Sequence, residues 1–212
     1  MGIKKKILSL SVVVLSLFVG TCQKIETEVQ MLTFCSRTLD NNVHGTASVV
    51  ASYLDNDGDL DILGAVYEED AIVYWRNDGG NPLVWTKQLI DTDFQKAISV
   101  YAADIDGDDD ADVLGAAAVK NEITLWRNDG GDPIQWTEHI IDTSFMGAKS
   151  VRVADFNEDH DLDVVGAALA GNEVAIWYNN GGNAIKWKKS TIDSTFKGAH
   201  RVQAVDMDNV VI

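Results

Sequence analysis

Cysteine, basic charge and long apolar runs are all scarce in this chain, and each scarcity excludes a class of protein. Two cysteines in 212 residues cannot staple a small disulfide scaffold. Seventeen basic residues stand against 33 acidic ones, a formal net charge of −16. A surface of that sign repels phosphates, which argues against nucleic acid and against an anionic membrane surface as partners. Cations and neutral ligands such as sugars fit it. Beyond residue 19 no apolar stretch approaches the length of a membrane span. Helical periodicity is missing, and so are the caps that announce helices.

The one sizeable apolar run is N-terminal. Lys4, Lys5 and Lys6 precede Ile7 to Val19, a stretch interrupted only by serines. That pattern predicts a signal peptide over residues 1–21, because the run is too short to span a bilayer comfortably. Cys22 follows Val19-Gly20-Thr21, which resembles a bacterial lipobox except that Thr21 stands where Gly, Ala or Ser is usual. A lipid anchor at Cys22, ordinary cleavage nearby and a Cys22–Cys35 disulfide remain open. The expected localisation is secreted or cell-surface. Residues 22–33 read as a linker.

What is abundant is repetition. Trp75, Trp126 and Trp177 are spaced by 51 residues, as are Trp85, Trp136 and Trp187. Asp61, Asp112 and Asp163 keep the same step, and so do the turns NDGG, NDGG and NNGG from Asn77, Asn128 and Asn179. Such a register marks a repeat architecture. Units run at about 45–95, 96–146 and 147–197, with a partial one over 198–212. Phe34 aligns with Trp85, which starts the repeat region at residue 34 and makes 34–43 the worn tail of an earlier copy.

Each unit reads as four short strands. In the second these are Ser99 to Ala103, Asp112 to Ala118, Glu122 to Arg127 and Ile134 to Ile141. The second is a run of small apolar residues, as expected for a strand covered on both faces. Asn128-Asp129-Gly130-Gly131 supplies two residues suited to positive φ. Four strands in about fifty residues describe a propeller blade. The expected fold is all-β, an incomplete β-propeller of three full units plus partial ones. Gly64, Gly115 and Gly166 share one register, which suits strands crowded around a propeller axis. The tryptophan rows read as packing between blades rather than as ligand contacts.

Between its first and second strands each unit carries a nine-residue acidic loop: YLDNDGDLD from Tyr53, DIDGDDDAD from Asp104 and DFNEDHDLD from Asp155. A fourth shows Asp206 and Asp208. Together these segments hold 17 of the 33 acidic residues, so the charge is massed rather than spread. Two carboxylates about 5 Å apart repel by roughly 3 kcal/mol at an effective dielectric near 20, and several such pairs call for a counter-cation. Hard oxygen ligands select calcium, and no His or Cys recurs in register to suggest a softer metal.

Side chains at positions 1, 3, 5 and 9, with a carbonyl from position 7, would ring one ion. In the second loop these are Asp104, Asp106, Asp108 and Asp112, with Asp110 at position 7. In the third they are Asp155, Asn157, Asp159 and Asp163, with Asp161 at position 7. The first loop has Tyr53 at position 1, leaving Asp55, Asp57 and Asp61, with Asp59 at position 7, as a weaker set. Position 6 holds Asp109 and His160 where Gly is usual, and both residue types tolerate the left-handed region better than most. An EF-hand is disfavoured, because its twelfth position needs an acid and here holds Gly64, Gly115 or Gly166.

The loops, the lead-in Val100 to Asp104 and the turn after Trp126 together resemble the FG-GAP/VCBS-type repeat family from about residue 34 onward. The literal FG…GAP signature is missing. The resemblance implies a propeller with structural calcium on secreted or surface bacterial proteins, serving adhesion or binding of carbohydrate or protein. A minority of related propellers are polysaccharide lyases, so the competing reading is a fragment of a lyase or hydrolase whose catalytic residues lie outside this chain. His44, His139, His160 and His200 fall at unrelated registers, and no phosphate loop, nucleophile elbow or zinc motif occurs. The binding module is the favoured expectation, with no catalytic residue assigned.

Overall fold

A computed structural model describes residues 23–27, 30–34, 36–181 and 185–205. The expected signal peptide, Cys22, Cys35, Asp206 and Asp208 lie outside the described residues. No described helix is long and apolar enough to cross a membrane. The chain divides into two compact units, residues 1–42 and 43–212. In the first, β1 (Gln23–Thr27) and β2 (Gln30–Phe34) pair antiparallel. The stretch expected to be a linker therefore holds a hairpin. Phe34 pairs through its backbone with Gln23, and the second compact unit starts at Val43.

The second unit is all strand and turn among its described residues. β3 (Thr46–Ser52), β4 (Asp61–Val66), β5 (Ala71–Asn77) and β6 (Trp85–Asp91) form the first four-stranded sheet, in that order. β7 (Ala97–Ala103), β8 (Asp112–Ala117), β9 (Glu122–Asn128) and β10 (Trp136–Asp142) repeat it. β11 (Ala148–Ala154), β12 (Asp163–Ala168), β13 (Glu173–Asn179) and β14 (Trp187–Asp193) repeat it again. Every pairing is antiparallel between chain neighbours. The first strands of successive sheets, β3, β7 and β11, lie side by side. These are propeller-like blades in an open arrangement.

The second strands β8 and β12 are buried along their whole length, as their small apolar sequences require. Trp75, Trp126 and Trp177 are 5%, 2% and 1% exposed, so this row is core. Phe94 and Phe145, in the connections between blades, meet Trp126 and Trp177 edge-on with ring centres 4.8 Å apart. Edge-to-face aromatic pairs add about 0.5–1.5 kcal/mol beyond the area they bury. The same rings explain the glycine register, and the reason differs from crowding at an axis. A methyl on Gly115 would stand 2.6 Å from Trp126 Cζ3 and 2.8 Å from Phe94 Cε1. Gly64 and Gly166 face their tryptophans in the same way at 2.9 Å. Glycine leaves room for the edge of the indole against the second strand.

Gly115→Ala forces those rings to move, and overpacking of this kind costs about 1–3 kcal/mol. Gly107→Ala, where nothing lies within 4 Å of the added methyl but φ is +80°, strains the backbone alone, by about 1 kcal/mol. Urea unfolding of the two variants should rank them in that order. Equal losses would contradict the packing account.

Candidate cation site and the lock between blades

Each acidic loop joins the first strand of a blade to the second, and its ninth residue opens the second strand. Asp61, Asp112 and Asp163 are fully buried, and each carboxylate accepts two backbone N–H bonds. Asp112 takes Ile105 at 2.9 Å and Asn128 at 2.8 Å. Asp61 takes Leu54 and Asn77, and Asp163 takes Phe156 and Asn179, at 2.8–3.0 Å. One carboxylate thus ties the second loop position to the end of the third strand. Bonds to a charged acceptor are worth about 1.5–3 kcal/mol each. Burial pushes the Asp112 carboxyl up to about 7 against the lowering by Asn128 and Ile105, and Asp106 and Asp108 add to the rise. Burial raises Asp163 as well.

The first-position acids shape the loop. Asp104 accepts N–H bonds from Gly107, Asp108 and Asp109, and Asp155 accepts them from residues 157 to 160. Burial would raise the Asp155 carboxyl, but these four bonds hold it below its ordinary value. Tyr53 offers no such cap, and the first loop leans on Asp55 and Asp57, which accept from Asp57 and Asp59. At position 6, Gly58, Asp109 and His160 all have positive φ, and at position 4 so do Asn56, Gly107 and Glu158. Asp109 and His160 therefore adopt the left-handed turn that glycine would have entered freely.

Among the described residues, Asp104, Asp106 and Asp108 bring carboxylate oxygens within 4.8 Å of one another. That is a set of hard oxygen donors, suited in type and spacing to calcium. Burial and the charge of Asp108 raise the Asp106 carboxyl, while Arg127 lowers it; its Nε lies 3.8 Å away. In the third loop Asn157 donates to Asp159 at 2.7 Å, and in the first burial is the largest influence raising Asp55, with Asp61 and Asp57 adding. The seventh residue has its own direction. The Asp110 side chain accepts from Asn56 of the preceding loop at 2.5 Å, and Asp161 lies against Gly181.

The turn asparagines carry a role that the turn motif alone does not reveal. Asn128 is buried; its Nδ2 donates to Leu54 O of the first loop at 2.8 Å and to Ala111 O of its own loop at 3.3 Å. Asn179 does the same toward Ile105 O and Leu162 O. Each also accepts from a glycine N–H two residues on. The exact recurrence of Asn is the signal for this lock, but not the 74-residue reach of its bond. Beside it, Arg76 bridges blades, with Nη1 2.7 Å from Asp132 and Nε 2.6 Å from Asp78. Arg76, Asp78, Asp132, Tyr74, Asp55 and Asp57 line a groove of about 350 Å³.

Two outcomes follow. Asn128→Ala leaves two carbonyls and an N–H without partners and should cost about 2–4 kcal/mol. Asn77→Ala, whose amide donates to Leu60 O at 3.4 Å, should cost at least about 1 kcal/mol less in the same unfolding assay. In calcium-free protein the Asp112 carboxyl should titrate near 7 by carbon-detected NMR. A folded value above the unfolded one near 3.8 means that this group's contribution to stability falls as pH rises between the two. Calcium should shift the titration well below 7, and an ordinary carboxylate value without calcium would contradict the burial.

Residues 53–115 match a family model described as an FG-GAP-like repeat. No curated protein matches the chain. Among solved structures, an Agrocybe aegerita lectin, described for specific recognition of non-reducing terminal N-acetylglucosamine, aligns with a TM-score of 0.46 and 20% identity. The alignment covers 71% of this chain and 39% of that one, so the chain spans about two fifths of the lectin's length. The matched segment runs from the first acidic loop through the second and into β8, and the chain carries an FG-GAP-type repeat.

Proposed function

We propose that the chain is a calcium-holding binding module that works outside the cell, attaching to extracellular carbohydrate or protein, and that it performs no catalysis itself. The observation that carries this reading is the convergence of Asp104, Asp106 and Asp108 in a loop whose register recurs in all three blades. Such acids form a cage, whereas a glycosidase needs an isolated carboxylate pair with divergent pKa values. The export pattern of residues 1–21 supports an extracellular setting, and Cys22 offers a lipid attachment point there. The groove between the first and second blades offers donors and acceptors of both signs around Tyr74, and its volume falls in the range of small-molecule sites. A hydroxyl-rich neutral ligand suits it better than an ion of either sign.

Calcium should act mainly through stability. At millimolar calcium a site of the extracellular-module range contributes about 1 kcal/mol. Chelation should lower the melting temperature reversibly, and identical melting with and without calcium would sink the assignment. Asp104→Ala should weaken calcium binding, measured by calorimetry, far more than Tyr53→Ala does. The reverse order would contradict the ligand positions.

A further inference from the structure

The arginines within the strands of the blades are of two kinds. Arg76 and Arg127 lie against carboxylates, at 2.6–2.7 Å from Asp78, Asp132 and Asp129. Arg152, partly buried in the middle of β11, instead donates from Nη1 to the Val151 carbonyl at 2.6 Å and sits 5.3 Å over the Tyr101 ring on β7. No described carboxylate pairs with it. A guanidinium has five N–H donors, and none of its nitrogens is a buried atom without a partner, so the unused ones open onto solvent. With 33 acids and 17 bases in the chain, an arginine left without an acid runs against the composition.

A second arginine stands beside it. Val202 N donates to Ser150 Oγ at 3.3 Å, as Val151 N donates to Ser99 Oγ at 3.4 Å. At Val202 the chain thus meets β11 as Val151 of β11 meets β7, and Ala199 is buried like Ala148. This places the exposed Arg201 near Arg152. Burial lowers the Arg152 pKa, and the like charge of Arg201 lowers it further. Both residues break the repeat. The Arg152 column reads Val50, Tyr101, Arg152 and Gln203, and the Arg201 column reads Ser48, Ser99, Ser150 and Arg201. Two departures of one residue type, at adjacent places on the first-strand face, put paired positive charge in a strongly acidic molecule.

We propose that Arg152 and Arg201, with Tyr101 backing the Arg152 guanidinium, form a site for an oxyanion, a carboxylate or sulfate group, brought by a sugar acid or as the free ion. The planar fork matches such a group with two parallel hydrogen bonds, and the aromatic ring fixes its plane. The site is independent of the cation loops and stands whether or not they bind calcium.

The test is calorimetric titration of the full chain in calcium-free buffer at constant ionic strength, with sodium glucuronate, sodium sulfate and glucose. Saturable binding of glucuronate, sulfate or both is expected, with none for glucose. Glucuronate alone identifies a sugar acid, and sulfate binding as tightly identifies the free ion; both support the site. Arg152→Gln and Arg201→Ala should each weaken binding at least tenfold. If Arg152→Gln fails to fold, Arg201→Ala, at an exposed position, decides the matter with its melting temperature as control. No anion binding, equal binding of glucose, or unchanged affinity in the folded variants would overturn the proposal.

Discussion

A carboxylate removed from water must find partners within the protein, and in this fold Asp61, Asp112 and Asp163 find them in backbone N–H groups from two directions. One direction is the acidic loop just passed. The other is the far end of the third strand, sixteen residues on. The aspartate therefore sets where the loop begins its turn and where the third strand stops. The remaining loop acids inherit their positions from that anchor, and so does the asparagine that follows the third strand.

The arrangement divides labour among acids that look alike in the chain. The ninth-position aspartates are interior and bond the backbone. The first-position acids Asp104 and Asp155 cap loop N–H groups with both carboxylate oxygens. In the second loop those oxygens converge with Asp106 and Asp108, where loop N–H groups and Arg127, 3.8 Å from Asp106, offset part of the mutual repulsion. Massing negative charge on the loops also leaves the first-strand face free to carry the opposite sign, at Arg152 and Arg201.

Much of this was legible in the amino-acid order because the period is unbroken. A 51-residue step, applied to Trp, Asp and Gly, is enough to recover all four strands of each blade to within a few residues. The left-handed turn at Asp109 and His160 could also be read, since only a few residue types enter it. Long-range bonds could not. Asn128 sits in a motif that reads as a local turn, and its bond to Leu54 O joins residues with no shared pattern. The glycine register was visible, but its cause was not, because the ring that needs the space belongs to another strand. The β1–β2 hairpin lacks the alternation that would have marked it, and apart from Phe34 its residues have no counterpart in the repeat.

The asparagine lock has a further consequence. Asn128 grips a carbonyl from the first loop and another from the second, so the conformation of one loop is mechanically geared to that of its neighbour. Under the proposed calcium binding, a loop that closes around an ion would fix one jaw of the clamp for the next blade. Order would then spread along the array as it does along a zipper, and the unit of response would be the row of blades rather than the single loop.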